Sequence, residues 1–119
     1  MTRRITITPI TPILGAEVHG VDLSEGIDDA TFAILHGAFL DHGVLVFREQ
    51  GAMAPDVQVE FARRLGPLHE HPAAPTDHEN PDVFLIRTHR DSPISNGNGW
   101  HSDVSCDERP PSATLLQVH

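Results

Sequence analysis

His101 and Asp103 stand one residue apart in the stretch Trp100-His101-Ser102-Asp103-Val104-Ser105. On an extended strand, residues i and i+2 face the same side. An imidazole nitrogen and a carboxylate oxygen would then converge on one point. That is two-thirds of a facial triad of two histidines and one carboxylate, the donor set that holds non-haem Fe(II) and leaves positions open. Neutral imidazole and ionised carboxylate are the binding forms. A bare His-x-Asp arises often by chance, and by spacing alone it more often describes a strand edge where the two types alternate. The surroundings add weight. Asn96-Gly97-Asn98-Gly99 leads in, Trp100 sits beside the pair, and Pro110-Pro111 follow before a new apolar run.

The elements that must position this pair read as follows. Residues 3–8 alternate β-branched and polar types and predict a strand ended by Pro9 and Pro12. Residues 13–19 predict a second, closed by Gly20. Asp28 or Asp29 is placed to cap a helix reaching about residue 41, with Phe32, Leu35, Phe39 and Leu40 on one face and Gly43 ending it. Val44-Leu45-Val46-Phe47 is a continuous apolar run of strand length, expected to be buried on both faces. Pro55 suits a first helical position. Val57, Phe61 and Leu65 then recur every four residues until Gly66, with Glu60 and Arg64 spaced to pair on the outside. Residues 66–81 predict a long ordered loop, 82–88 a strand, 89–99 a second loop, 100–105 the strand carrying the pair, and 112–118 another strand. The pattern supports an α+β class and nothing finer.

Composition narrows the partners. The chain has 119 residues, which admits a single domain spanning 1–119. Its 17 acidic residues against 8 basic ones give a net charge of −9, which argues against nucleic acid and anionic membranes. No apolar run approaches a membrane span. Met1-Thr2-Arg3-Arg4 lacks the apolar core of a secretory signal. One cysteine, Cys106, excludes an internal disulfide and fits a cytoplasmic location. Nothing basic is clearly placed to activate Cys106, which reads as a spectator. Gly97-Asn98-Gly99 lacks the third glycine and the helix of a dinucleotide-binding loop.

Several segments together are similar to one family. They are Ile5-Thr6-Ile7-Thr8-Pro9, Gly15 to Leu23, Val44 to Gln50, Gly66-Pro67-Leu68-His69-Glu70-His71-Pro72, Thr88-His89, Trp100 to Ser105, and Pro110-Pro111-Ser112-Ala113. In this order and spacing they resemble the N-terminal portion of the TauD/TfdA family, taurine-dioxygenase-like enzymes dependent on Fe(II) and 2-oxoglutarate. The resemblance covers nearly the whole chain. It implies a partial double-stranded β-helix (a cupin-like jelly roll) with N-terminal helices packed outside. It implies a dioxygenase with Fe(II) as cofactor and 2-oxoglutarate and O2 as cosubstrates. Such an enzyme hydroxylates a small anionic molecule (a sulfonate such as taurine, an alkyl sulfate or a carboxylate) and releases succinate and carbon dioxide. His101 and Asp103 become metal ligands. The family's second metal histidine, its 2-oxoglutarate arginine and an assisting threonine all lie downstream of residue 119, and His119 does not fall at the ligand position. The expectation is therefore a fragment, or a truncated non-catalytic relative serving as a binding or assembly module. A homo-oligomer completing the site or the sheet is a third arrangement.

The same resemblance bears on the loop residues. From the pattern, His69 and His71 read as a second metal pair or, more commonly, as hydrogen-bonded or solvated loop histidines. By resemblance, His71 falls where taurine dioxygenases hold the substrate sulfonate, for which an imidazole N–H is suited. The family's substrate-binding tyrosine is replaced by Ala74, which sets taurine itself in question. Asn96 or Asn98 matches an asparagine near the substrate, with Asn96 preferred; two asparagines in a Gly-rich turn are equally ordinary. Trp100 reads as a wall of the site. His19, His36, His42, His78 and His89 carry no assigned role.

Overall fold

The computed structural model describes residues 3–69, 82–93 and 99–119. Three short strands form one mixed sheet: β1 (Thr6–Pro9), β2 (Ala16–His19) and β3 (Leu45–Phe47), in the order β1-β2-β3. β1 runs antiparallel to β2, with Ile7 opposite Val18. β3 runs parallel to β2, with Glu17 opposite Val46. A parallel neighbour needs a crossover. Helix α1 (Asp29–His42) supplies it, and helix α2 (Pro55–Leu65) follows β3. A single 3-10 turn covers Leu23–Glu25.

Local chemistry explains these boundaries. Asp28 caps α1 by accepting from Thr31 N–H at 2.7 Å. Gly43 stops it at φ 75, where its N–H donates to Phe39 C=O at 2.8 Å. Pro55 opens α2, whose preceding Ala54 offers no side-chain cap. Gly20 is required after β2. Its φ is +86, and a β-carbon there would stand 2.3 Å from Arg4 C=O.

The core is small. Val18, Leu23, Leu35 and Met53 form its buried cluster, with Ile5, Val21, Leu45, Phe47, Phe61 and Leu115 packed around it. Gln50 ties the segment after β3 to the segment after β2, accepting from Leu23 N–H and donating to Val21 C=O, both at 2.9 Å. β3 is half-buried throughout and Val44 is exposed, so the run 44–47 is not covered on both faces.

Three further expectations need correction. Leu40 is 71% exposed, while Ala38 takes the buried place beside Leu35. Five residues turn a helix by about 140° net, so Leu40 cannot share the face of Leu35. Arg64 does not stay with Glu60. Its guanidinium donates to Ile27 C=O at 2.8 Å, pairs with Asp29, and lies 4.5 Å over the Phe32 ring. The strands expected at 82–88, 100–105 and 112–118 do not form among the described residues; only Phe84 takes an isolated bridge. The last segment is held instead by side-chain amides. Gln117 accepts from Met53 N–H at 2.7 Å and donates to Met53 C=O at 3.1 Å, while Gln58 donates to Leu115 C=O at 3.1 Å. Those bonds satisfy backbone groups without a strand ladder.

Candidate metal site

His101 and Asp103 do converge, but through a turn. Residues 103–106 form that turn, with Val104 at φ 48. Asp107 N–H closes it on Val104 C=O at 3.2 Å. His101 Nε2 then lies 3.2 Å from Asp103 Oδ1. The other ring nitrogen, Nδ1, is 2.7 Å from Gly99 C=O. A carbonyl only accepts, so Nδ1 carries the proton and donates. In the neutral ring, Nε2 therefore presents its lone pair toward a carboxylate oxygen. Two acceptors this close call for a cation between them, a second ring proton or a metal ion.

The geometry suits a metal. Oxygen and nitrogen ligands at about 2.1 Å and right angles lie about 3 Å apart. A histidine ligand whose far nitrogen donates to a backbone carbonyl is a recurring arrangement that fixes tautomer and ring direction. Asp103 is oriented as well: Thr114 Oγ1 donates to its Oδ2 at 3.3 Å, leaving Oδ1 for the His101 side. Both side chains are about half exposed, 54% and 53%, so an ion has access. Among the described residues no group of three or more His, Cys, Asp or Glu side chains gathers as a metal site. The pair thus contributes two donors.

Asp103 also edges a cleft of about 390 Å³ between the helices, β3 and residues 111–115, walled by Phe32, Phe39, Phe61 and Leu65. Trp100 is fully exposed at 107% and walls nothing among the described residues.

His69 is a hydrogen-bonded loop histidine, the commoner of the two readings from the pattern. Its Nε2 meets Asp107 Oδ2, with the side chains 23% and 34% exposed. His71, Ala74, Asn96 and Asn98 lie outside the described residues. The sequence reading missed Gly99 C=O, Thr114 and Asp107. Thr114 left a weak signal, one of two hydroxyls, with Ser112, at the start of an apolar run. Asp107 left none, since it meets a partner 38 positions away. Cys106 is exposed.

Comparison with known proteins places the chain in a family. The model of the taurine catabolism dioxygenase TauD, TfdA family matches residues 6–119. An alkylsulfatase of Acinetobacter baylyi is 29% identical over 116 residues, covering 98% of this chain and 36% of the relative. An alpha-ketoglutarate-dependent sulfonate dioxygenase of Saccharomyces cerevisiae is 31% identical over 125 residues, covering 97% and 30%. Among solved structures, a taurine dioxygenase from Burkholderia xenovorans superposes with a TM-score of 0.72 at 32% identity, over 90% of this chain and 37% of that one. The chain spans about a third of the length of the curated relatives it matches. No helix among the described residues is long and apolar enough to cross a membrane.

Proposed function

The chain belongs to the TauD/TfdA family of taurine catabolism dioxygenases, and from that premise we propose that it is the N-terminal portion of an Fe(II)- and 2-oxoglutarate-dependent dioxygenase. In this reading the small sheet and two helices are the opening part of a jelly-roll domain, and His101 Nε2 and Asp103 Oδ1 are two of the iron ligands. The observation that carries the reading is the 3.2 Å approach of those two atoms with Nδ1 already committed to Gly99 C=O. When bound, Fe(II) together with 2-oxoglutarate and O2 supplies the oxidation that turns a substrate C–H into C–OH, with release of succinate and carbon dioxide.

This chain's own residues bind and orient. Gly99 C=O keeps the proton on Nδ1 and frees Nε2 as a donor. Thr114 turns the Asp103 carboxylate. The substrate is a small anionic molecule, in the class of sulfonates, sulfate esters and carboxylates. That class is supported by the names of the alkylsulfatase and the sulfonate dioxygenase to which the chain is similar. His71 is assigned to the anionic group of the substrate and Asn96 to its neighbourhood, because an imidazole N–H and an amide donate to anionic oxygen. Ala74 stands where taurine enzymes place tyrosine, which favours a substrate other than taurine.

The test is iron-dependent succinate formation by the full protein with a panel of alkyl sulfates, sulfonates and carboxylates. His101→Ala is expected to abolish it. Turnover retained by that variant would overturn the assignment.

A further inference from the structure

We infer that Asp107, acting through His69, is a positioning residue for the metal ligand Asp103; the inference rests on the functional reading above. Three observations meet here. Val104, next to the ligand, holds φ at 48, a region that a β-branched residue strongly disfavours. Such a conformation persists only where the surroundings over-determine it. The turn around it is closed from one residue. The backbone N–H of Asp107 donates to Val104 C=O at 3.2 Å, and the carboxylate of Asp107 takes His69 Nε2.

His69 follows closely on the Gly66 stop of α2, and α2 is itself fastened to Asp29 and Ile27 at the start of α1 by Arg64. That hydrogen bond therefore ties a strained, solvent-facing turn to the helical layer. Without it the turn relaxes toward ordinary backbone angles, the peptide after Asp103 rotates, and the carboxylate leaves its place beside His101. Thr114 restrains the carboxylate through its other oxygen, by a bond to the side chain and not to the backbone of the turn.

A role in holding the backbone angle makes a distinctive prediction. Glycine adopts positive φ without penalty, so Val104→Gly makes the clip dispensable. The experiment is a titration of the full protein with Co(II), followed by its visible absorption, on Asp107→Asn, Val104→Gly and the double variant. Loss of an orienting partner typically weakens a metal site about 10- to 100-fold. We expect at least about 10-fold weaker Co(II) binding when Asp107→Asn is made in the parent, and less than about twofold when it is added to Val104→Gly. Binding by Asp107→Asn within twofold of the parent overturns the inference. So does an equal loss in both backgrounds, which is what mere removal of a charge produces. Thermal unfolding monitors the fold, and if Asp107→Asn does not fold the same cycle is run with His69→Ala. His101→Ala separates the two claims. If the parent protein binds no Co(II), or His101→Ala binds as well as the parent, the functional reading fails and this inference with it. If His101→Ala abolishes binding but the Asp107 cycle is flat, only this inference fails.

Discussion

Thr114 and Asp103 are eleven residues apart, and the hydroxyl of the first donates to the outer carboxylate oxygen of the second at 3.3 Å. The bond selects which oxygen of Asp103 faces His101. Thr114→Val removes the donor at nearly constant volume. We expect metal affinity to fall about 10-fold, the lower end for orienting partners, because the site is half exposed. Thr114→Ser should restore it. Co(II) titration of the three proteins checks this, and equal affinities would remove Thr114 from the site.

Arg64 is the hinge pin of the helical layer. Its side chain is 25% exposed, bonds Ile27 C=O and covers Phe32, whereas its partner Asp29 is fully exposed at 103%. The contacts to Ile27 and Phe32 should matter more than the ion pair, since exposed pairs contribute little. Arg64→Ala is expected to lower stability by about 1–2 kcal/mol. Asp29→Ala should leave the urea midpoint unchanged.

Acid should loosen the N-terminal half first. Hydrogen bonds hold three carboxylates below their usual range: Arg48 donates to Glu17, the Ser24 hydroxyl to Asp22, and the Thr31 hydroxyl to Asp28. A carboxyl group whose value is lower folded than unfolded stabilises the fold above its unfolded value, about 4, and loses that contribution as pH falls through the folded value. The stability gap between the parent and Asp28→Ala should therefore be full at neutral pH and shrink below about pH 4. Urea melts across that range read it directly. A gap independent of pH would mean that the cap acts only through its shape.

Gly20→Ala should be among the harshest surface changes in the chain. The new β-carbon would meet Arg4 C=O at 2.3 Å in a backbone region that alanine resists. A loss of more than about 1 kcal/mol in chemical denaturation is expected. Gly26→Ala is the control, because its φ is also positive but nothing lies within 4 Å; equal losses would assign the whole effect to the backbone angle.

Much of the N-terminal half was legible from residue pattern alone. Asp28 or Asp29 as cap, Gly43 and Gly66 as stops, and Pro55 as first turn are local signals; the structure chooses Asp28, and local bonds realise the rest. The pair His101 and Asp103 was legible as a constellation, but the element carrying it was not. Val104-Ser105 reads as strand by propensity, and only tertiary restraint puts a valine at φ 48. The segment 112–118 has strand composition too. Composition describes a surface ready to be paired, not whether a partner strand is present. Leu40 misled because α1 carries apolar residues around more than one face, with Ile34 also exposed.

The clasp of Gln117 on Met53 closes a loop of 64 positions, whereas β1 and β2 meet across a short turn. Closing a long loop costs more chain entropy than closing a short one. The order of folding follows. The sheet and both helices close over shorter spans, β3 reaching β2 across α1 and Arg64 reaching Ile27, and the stretch that bears His101 and Asp103 is captured last, when Gln117 and Leu115 reach the start of α2. The turn that bears His101 and Asp103 is thus added to a sheet and a helical layer that shorter closures have already formed.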